Sequence, residues 1–194
     1  MASIRINAGS LKGRVIPFDT GKFRDADITP QKVKGAIFSI IGEWLHGRGF
    51  LDLFSGSGQI GFEALSRGAD PVVMNDADRS RFAFITSCSS TLGLSTAPTI
   101  LNLDAEGALG LLRDRGISFD AVFIDPPYQK EKGRVGRYRE IIEKIIETGV
   151  LSEDGIIIVQ HFSGNILDET VGFLRLRSTR TYGTTSLSVY ESPD

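Results

Sequence analysis

The sequence predicts an α/β fold: a mostly parallel, doubly wound sheet of seven strands with an antiparallel edge. From residue 50 onward, short apolar segments alternate with helical segments, and parallel strands need such helical crossovers. The first apolar segment runs into a glycine-rich turn and a helix, in the string FLDLFSGSGQIGFEAL. The last two apolar segments, VGFLRLRS and TSLSVYES, flank a turn and predict a closing hairpin at the edge of the sheet.

The composition is that of a globular protein. The chain has 194 residues, of which 41% are hydrophobic and 24% charged, with a net charge of −2. The single cysteine, Cys88, excludes an internal disulfide and is expected to be a buried thiol. No apolar run approaches the ~20 residues of a membrane span, and MASIRINAGS has no signal-peptide core. We expect a cytoplasmic protein with no membrane partner.

Residues 1–48 are predicted to form an extension, and residues 49–194 the main domain. Within the extension, IRINAGSLKGRVIPF predicts a β-hairpin over residues 4–18. Thr29 and Pro30 then predict the N-cap and first residue of a helix. Apolar residues recur at three-and-four spacing along that helix until HGRG ends it.

Within the main domain, the sequence predicts five strands separated by helices and followed by the closing hairpin. Its strands are expected at 50–54, 71–76, 98–101, 119–125 and 155–162, and its helices at 58–67, 78–94, 104–116 and 138–149. In such sheets, ligands bind beyond the carboxyl ends of the strands. Four features fall there: Gly56–Gly58, Asp76, Asp104 and the DPPY segment at 125–128. We therefore expect the functional site at this edge.

The glycine-rich turn spells G-x-G-x-x-G at Gly56, Gly58 and Gly61, the fingerprint of dinucleotide-binding loops. Asp76 follows Gly56 at the spacing of about 20 residues that suits an acid on ribose hydroxyls. Asp52 lies inside the preceding strand, where a buried carboxylate is costly without partners. It would oppose the pyrophosphate of NAD, whereas S-adenosylmethionine offers it a positive amino group. Asp52 therefore favours the methyl donor, although bracing of the turn remains an alternative role.

Asp104 follows the third strand directly before a helix. An ordinary helix N-cap is the favoured interpretation on sequence alone, and the functional alternative is an acid near the adenine amino group of the cofactor. The predicted cofactor-binding residues are Asp52, Phe54, Gly56, Ser57, Gly58, Asp76, Ala77, Asp104 and Ala105.

The fourth strand ends in FDAVFIDPPYQK, where two prolines follow an aspartate. A strand capped by a rigid turn would explain one proline, but not Asp-Pro-Pro-Tyr at the ligand edge. The Asp125 carboxylate and the rigidly held Pro126 carbonyl can each accept one hydrogen of a nucleobase amine and direct its lone pair at a methyl group. Tyr128 can stack on the extruded base. The predicted catalytic residues are Asp125, Pro126, Pro127 and Tyr128, and this chemistry needs no metal.

The motifs LDLFSGSGQIGFEALSRGA, DPPY and AGSLKGR, with the acid at Asp76, together resemble the bacterial small-subunit rRNA guanine-N2 methyltransferases of the RsmD type. The resemblance extends from about Arg5 to Tyr190. It implies a Rossmann-like methyltransferase fold, S-adenosylmethionine as the donor, and a guanine of 16S rRNA as the target within a partly assembled 30S particle. We expect a monomer.

The resemblance implies that Asp125, Pro126 and Tyr128 form the amine site, and that Asp52, Gly56, Gly58, Asp76 and Asp104 line the cofactor. The sequence also departs from the family pattern. Asp27 stands where the family usually has an arginine, and family members commonly carry glutamate where Gly35 and Gln160 stand.

Two basic clusters predict an RNA surface, one in the extension and one after DPPY. The candidate RNA-binding residues are Arg5, Lys12, Arg14, Lys22, Arg24, Lys130 and Lys132. Contacts to phosphates would supply affinity and positioning rather than base choice.

Three alternatives to rRNA guanine methylation are open. A DNA or RNA adenine-N6 methyltransferase uses the same amine chemistry, although a DNA enzyme would be expected to need a recognition insert that 194 residues barely allow. An NAD-dependent oxidoreductase would leave Asp52 and DPPY without a role. A non-catalytic RNA-binding assembly factor is disfavoured by the intact segment from Asp125 to Tyr128.

Overall fold

A computed structural model describes residues 2–18, 28–127 and 133–193. Its strands are β1 (Ala2–Arg5), β2 (Val15–Phe18), β3 (Phe50–Asp52), β4 (Val72–Asn75), β5 (Thr99–Leu101), β6 (Phe119–Ile124), β7 (Gly133–Arg134), β8 (Leu151–Phe162), β9 (Asn165–Ile166), β10 (Thr170–Val171), β11 (Leu174–Tyr182) and β12 (Thr185–Glu191). Its helices are α1 (Gln31–Ile41), a 3-10 turn at Gly42–Leu45, α2 (Gln59–Ser66), α3 (Arg79–Thr91), α4 (Ala105–Asp114) and α5 (Gly136–Thr148).

The main sheet has the strand order β10-β11-β12-β8-β6-β3-β4-β5. Strands β8, β6, β3, β4 and β5 run parallel, whereas β12, β11 and β10 pair antiparallel at one edge. The predicted α/β fold and its closing hairpin are therefore confirmed. The sheet contains the seven expected strands and an eighth, the two-residue β10, which the sequence analysis did not predict.

The sheet is buried on both faces. Because side chains of a strand alternate between faces, Phe50 packs in one hydrophobic cluster and its neighbour Leu51 in the other. The first cluster contains residues of α1, α2, α3 and the β1–β2 hairpin, and the second contains residues of α4 and α5. This two-sided cover is the doubly wound arrangement that the alternation of strands and helices predicts.

The N-terminal hairpin and α1 share the core of the sheet. Ile4, Ile16 and Val33 belong to the same cluster as Phe50. Lys34 and Glu63, both fully buried, form an ion pair of 3.1 Å that joins α1 to α2. A buried pair of this kind persists only when its remaining polar atoms are also satisfied. The burial lowers the pKa of Lys34, although the charge of Glu63 opposes that effect.

Glu63 also anchors the hairpin loop. Its carboxylate accepts the backbone N–H groups of Asn7 (2.8 Å) and Ala8 (3.1 Å), in addition to Arg67 Nε at 3.0 Å. The AGSLKGR segment is thus held against α2 through its backbone. Four partners on one buried carboxylate make this junction a fixed part of the fold.

Several element boundaries differ from the prediction. Helix α1 begins at Gln31 with Pro30 as its N-cap and without a side-chain cap, so the assignment of Thr29 as N-cap is wrong. Proline fits the start of a helix at either position because the first N–H groups have no intrahelical acceptor. Strand β8 begins at Leu151, before the predicted Gly155, and its register with β6 shifts between Phe119 and Ala121. Within the described residues, no helix is both long enough and apolar enough to cross a membrane.

Candidate methyl-transfer site

A cavity of about 780 Å³ lies at the carboxyl edge of the parallel strands, the place that the topology predicts. This volume is in the range of small-molecule sites. Its lining joins the glycine turn to the start of the DPPY segment. The predicted residues among the lining are Asp52, Phe54, Gly56, Ser57, Asp76, Ala77, Asp104, Ala105, Asp125, Pro126 and Pro127.

The glycine turn has the conformation that its sequence requires. Gly56 and Gly58 have φ values of +53° and +75°, in the left-handed region that side chains with a Cβ rarely adopt. Gly61 faces β4 so closely that a Cβ there would lie 2.5 Å from Met74 Cγ. The prediction that Gly61 permits close helix–strand packing is confirmed. Gly58, also predicted to bind the cofactor, is the N-cap of α2 and is not among the residues that line the cavity.

Asp76 braces the glycine turn. Its Oδ2 accepts the backbone N–H of Gly56 at 2.8 Å, and its Oδ1 accepts that of Asp78 at 2.9 Å. Arg81 Nη1 lies 3.8 Å from the same carboxylate. Asp76, at the end of β4, therefore stabilises the glycine turn that lines the cavity. Its spacing from Gly56 did not predict this role.

Asp52 is fully buried at the end of β3. Its Oδ2 accepts the Gly61 N–H at 3.0 Å, which braces the start of α2. Its Oδ1 has no hydrogen-bond partner among the residues that the structure describes. Burial, and to a lesser extent the charge of Asp76, raises the pKa of Asp52 to about 7. A buried acceptor without a partner, in a residue that lines a cavity, could accept a hydrogen bond from a donor group on a ligand.

Asp104 is the N-cap of α4, as the sequence favoured. Its Oδ1 accepts the Gly107 N–H at 2.7 Å. The same residue also lines the cavity, so Asp104 both caps α4 and contributes to the cavity wall. Ala105 begins α4 beside it.

Several residues of the cavity were not among the predicted site residues. Gln59, the first residue of α2, is 3% exposed, and its Oε1 has no hydrogen-bond partner within the described part of the chain. Thr29 reaches the cavity from the extension, and Arg137 and Glu140 reach it from α5. Arg137 and Glu140 are three residues apart and so share one helix face. That spacing was a signal in the sequence, but the helix was predicted to begin only at Tyr138.

Asp125 stands at the end of β6 beside Gln160 of β8. Gln160 Nε2 donates a hydrogen bond of 2.7 Å to Asp125 Oδ2. Pro126 is buried and Pro127 exposed, both at the cavity. Tyr128 lies outside the described residues. Asp52 and Asp125 thus line the same cavity from β3 and β6, which are adjacent strands.

The basic residues of the hairpin are separate from the cavity. Arg5, Lys12 and Arg14 are exposed, and Arg5 Nη1 donates to the Gly13 carbonyl at 3.2 Å. The loop between β1 and β2 bonds to Ser66, at the end of α2 farthest from the cavity. Eight residues of helix span ~12 Å. The remaining candidates, Lys22, Arg24, Lys130 and Lys132, lie outside the described residues.

Comparison with known proteins gives the family. The family model described as Conserved hypothetical protein 95 matches residues 4–191. The chain belongs to this family. It is 36% identical over 188 residues to a Bacillus subtilis protein named "Putative rRNA methyltransferase YlbH", covering 97% of this chain and 98% of the relative. It is 26% identical over 189 residues to Ribosomal RNA small subunit methyltransferase D of Escherichia coli, covering 97% of this chain and 89% of the relative.

Solved structures agree with this family. A conserved hypothetical protein of Streptococcus pyogenes matches with a TM-score of 0.72 and 32% identity, over 83% of this chain and 96% of that one. The family is the RsmD family that the sequence motifs resemble, and its fold is that of S-adenosylmethionine-dependent methyltransferases. The predicted family, Rossmann-like fold and cofactor are therefore confirmed.

Proposed function

We propose that the protein transfers a methyl group from S-adenosylmethionine to the exocyclic N2 amine of a guanine in small-subunit rRNA. It acts as a cytoplasmic monomer on rRNA within an assembling 30S particle. The observation that carries the proposal is the shared cavity of Asp52 and Asp125. In this cavity, Asp52 can accept a hydrogen bond from the positively charged methyl donor, and Asp125 can accept one from the target amine. The names of the relatives support rRNA as the substrate.

The chain's residues fit the cofactor. The Oδ1 of Asp52, which has no partner in the part of the chain that the structure describes, is a suitable acceptor for the ammonium group of the methionine part. The glycine turn lets a ligand approach the backbone closely, and Asp76 and Asp104 line the cavity on the side of β4 and α4. Bound S-adenosylmethionine supplies a methyl group on a positively charged sulfur, which is electrophilic without any metal.

The Asp125 carboxylate and the Pro126 carbonyl hold the target amine. Each accepts one amine hydrogen, so that the nitrogen lone pair points toward the methyl carbon. The bond between nitrogen and the methyl carbon forms as the carbon–sulfur bond breaks, and the nitrogen then loses one proton to Asp125 or to water. Fixing both reactants in one cavity supplies much of the rate enhancement, because the reaction is an in-line displacement.

Arg137 and Glu140 favour guanine over adenine. The Watson–Crick edge of guanine carries the N1–H and N2–H donors beside the O6 acceptor, whereas adenine carries one donor group and one acceptor. A carboxylate and a guanidinium on one helix face can satisfy the guanine pattern. Adenine-N6 methylation uses the same Asp125 chemistry and is the second candidate, which the product analysis below separates.

The test is transfer of labelled methyl groups to unmethylated rRNA, free and in 30S particles, followed by nucleoside analysis. We expect N2-methylguanosine from the particles. Asp125→Ala should lower the rate at least 100-fold while cofactor affinity stays within about threefold, because Asp125 acts on the amine. Asp114→Ala removes an exposed carboxylate at the end of α4 and is the matched control with normal activity. Methyladenosine as the product would establish the second candidate, and no incorporation by the wild type would favour a non-catalytic assembly factor.

A further inference from the structure

Gln160 and Asp125 form a hydrogen-bonded pair at the proposed amine site. Ile124 of β6 pairs with Val159 of β8 in the parallel register, which places the next residues, Asp125 and Gln160, side by side. Gln160 is 2% exposed, and its Nε2 lies 2.7 Å from Asp125 Oδ2. An amide N–H can only donate, and a carboxylate oxygen in this bond can only accept. The hydrogen bond therefore has a fixed direction and fixes the plane of the Asp125 carboxylate.

From this contact we infer that Gln160 is a positioning residue that holds Asp125 as a hydrogen-bond acceptor at every pH at which the protein is folded. The inference rests on the proposed function, because it assigns a role toward the amine site. The amide has no proton to lose in the physiological range. The bond to Asp125 consequently persists while carboxylates and imidazoles nearby titrate.

A glutamate at position 160 would behave differently. Two carboxylates 2.7 Å apart share one proton, and the pair loses it only at a pH well above the usual carboxyl range. While the proton is present, the carboxyl group at position 160 can donate a hydrogen bond to Asp125, as the amide of Gln160 does. Once it is lost, the two charges repel and displace Asp125 from the amine. The amide thus removes a pH limit that an isosteric acid would impose.

Other titratable groups surround Asp125. Asp52 of β3 lines the same cavity, as do Arg137 and Glu140 of α5. The charge of Asp125 contributes, after burial, to raising the pKa of Tyr138 to about 12. His161, the residue after Gln160, lies on the other face of β8 against the Tyr138 ring, and burial lowers its pKa. These groups are present in both the wild type and a Gln160 variant, so the ratio of the two activities reports what the change at position 160 adds to their titration.

The experiment measures kcat for methyl transfer between pH 5.5 and 9 with saturating S-adenosylmethionine, which removes effects on cofactor binding. We expect the ratio of Gln160→Glu to wild-type kcat to fall at least tenfold as pH rises across the range. Gln160→Met, which has no donor, should be at least tenfold slower at every pH. Ser186→Ala is the control, because this buried side chain of β12 bonds to Thr181 instead.

The outcomes separate the two proposals. Identical pH profiles for wild type and Gln160→Glu, in an active enzyme, would overturn the positioning role and leave methylation intact. Absence of methyl transfer by the wild type would overturn the proposed function itself. If Gln160→Met does not fold, the ratio of Gln160→Glu to wild-type kcat decides alone, because a loss of folded protein that is independent of pH lowers this ratio equally across the pH range. Binding of S-adenosylhomocysteine by each variant verifies that the cavity is formed.

Discussion

At the scale of single residues, the two buried aspartates of the cavity have different tasks. Asp76 accepts backbone N–H groups with both carboxylate oxygens, one from Gly56 and one from Asp78, whereas Asp52 accepts one with Oδ2, and its Oδ1 has no partner among the described residues. Both carboxylates lie on the ligand edge, but only Asp52 combines full burial with an unused acceptor among the described residues. Burial is the main cause of the raised pKa of Asp52.

Because the pKa of Asp52 is raised, we expect cofactor binding to depend on pH. Its pKa of about 7 means that the ligand-free protein carries a proton there at pH 6, and an ammonium group selects the ionised form. Binding then releases a proton, so affinity for S-adenosylhomocysteine should rise roughly tenfold per pH unit up to about pH 7 and level off above it. Calorimetric titration between pH 5.5 and 8.5 measures this slope.

A ligand without the amino-acid part and a variant without the carboxylate both test whether Asp52 binds the ammonium group. Methylthioadenosine lacks the amino-acid part and should bind with no such slope. Asp52→Asn should abolish the slope and weaken S-adenosylhomocysteine at pH 8 by roughly 10- to 100-fold, the value of a charged hydrogen bond. If both ligands follow one pH curve with the wild type, the ammonium is not the partner of Asp52.

At the scale of elements, the docking of the hairpin on α2 depends on one glycine. Gly9 has φ +79°, and a Cβ there would lie 1.6 Å from the Ser66 carbonyl oxygen. That carbonyl accepts the Ser10 N–H at 2.8 Å, and Ser66 Oγ accepts the Leu11 N–H at 2.9 Å. No side chain can occupy this contact, so the backbone of the loop itself is the docking surface.

We expect Gly9→Ala to lower stability far more than Gly13→Ala. Gly13 also has a positive φ, +87°, but nothing lies within 4 Å of a Cβ there. The control therefore measures backbone strain alone, about 1–2 kcal/mol, or a few degrees in Tm for a chain of this size. Gly9→Ala adds the loss of the α2 contacts and should shift Tm at least twice as far. Equal melting temperatures in thermal unfolding would contradict the docking role.

Some features of these elements can be predicted from the sequence, whereas side-chain pairs between distant residues cannot. The succession of strands and helices, the glycine turn and the cap at Asp104 follow from local patterns, because periodicity and backbone preference act over a few residues. The ion pair of Lys34 with Glu63 and the bond of Gln160 to Asp125 join residues far apart in the chain. No local pattern encodes such pairs. The register of β6 with β8 brings Gln160 beside Asp125, and this register becomes known only when the sheet is assembled.

At the scale of the whole molecule, the cavity and the cations of the hairpin lie at opposite ends of α2. We propose that Arg5, Lys12 and Arg14 bind phosphates of the rRNA at a distance from the target base. Replacing all three by alanine should weaken binding and reduce the slope of log affinity against log salt by roughly 2 to 3, since each phosphate contact contributes ~0.7–0.9. The single-turnover rate on saturating rRNA should be unchanged.

The control for this prediction removes equal charge elsewhere. Arg113, Arg115 and Arg175 are exposed on α4, after it, and on β11. Their joint replacement by alanine should leave the salt slope within experimental error of the wild type. A binding assay with the small-subunit rRNA at four or five salt concentrations measures both variants. An equal slope for the hairpin variant and the wild type would refute the phosphate contacts.

The anchoring of the hairpin on Glu63 has a consequence for synthesis of the chain. Asn7 leaves the ribosome before its acceptor, which lies 56 residues later in the sequence. At roughly 5–20 residues per second this separation corresponds to ~3–11 s. During that interval the apolar side of the hairpin, with Ile4, Ile16 and Phe18, has no core to join. Slow translation between these segments would prolong its exposure, so chaperone demand should depend on codon choice over residues 19–66.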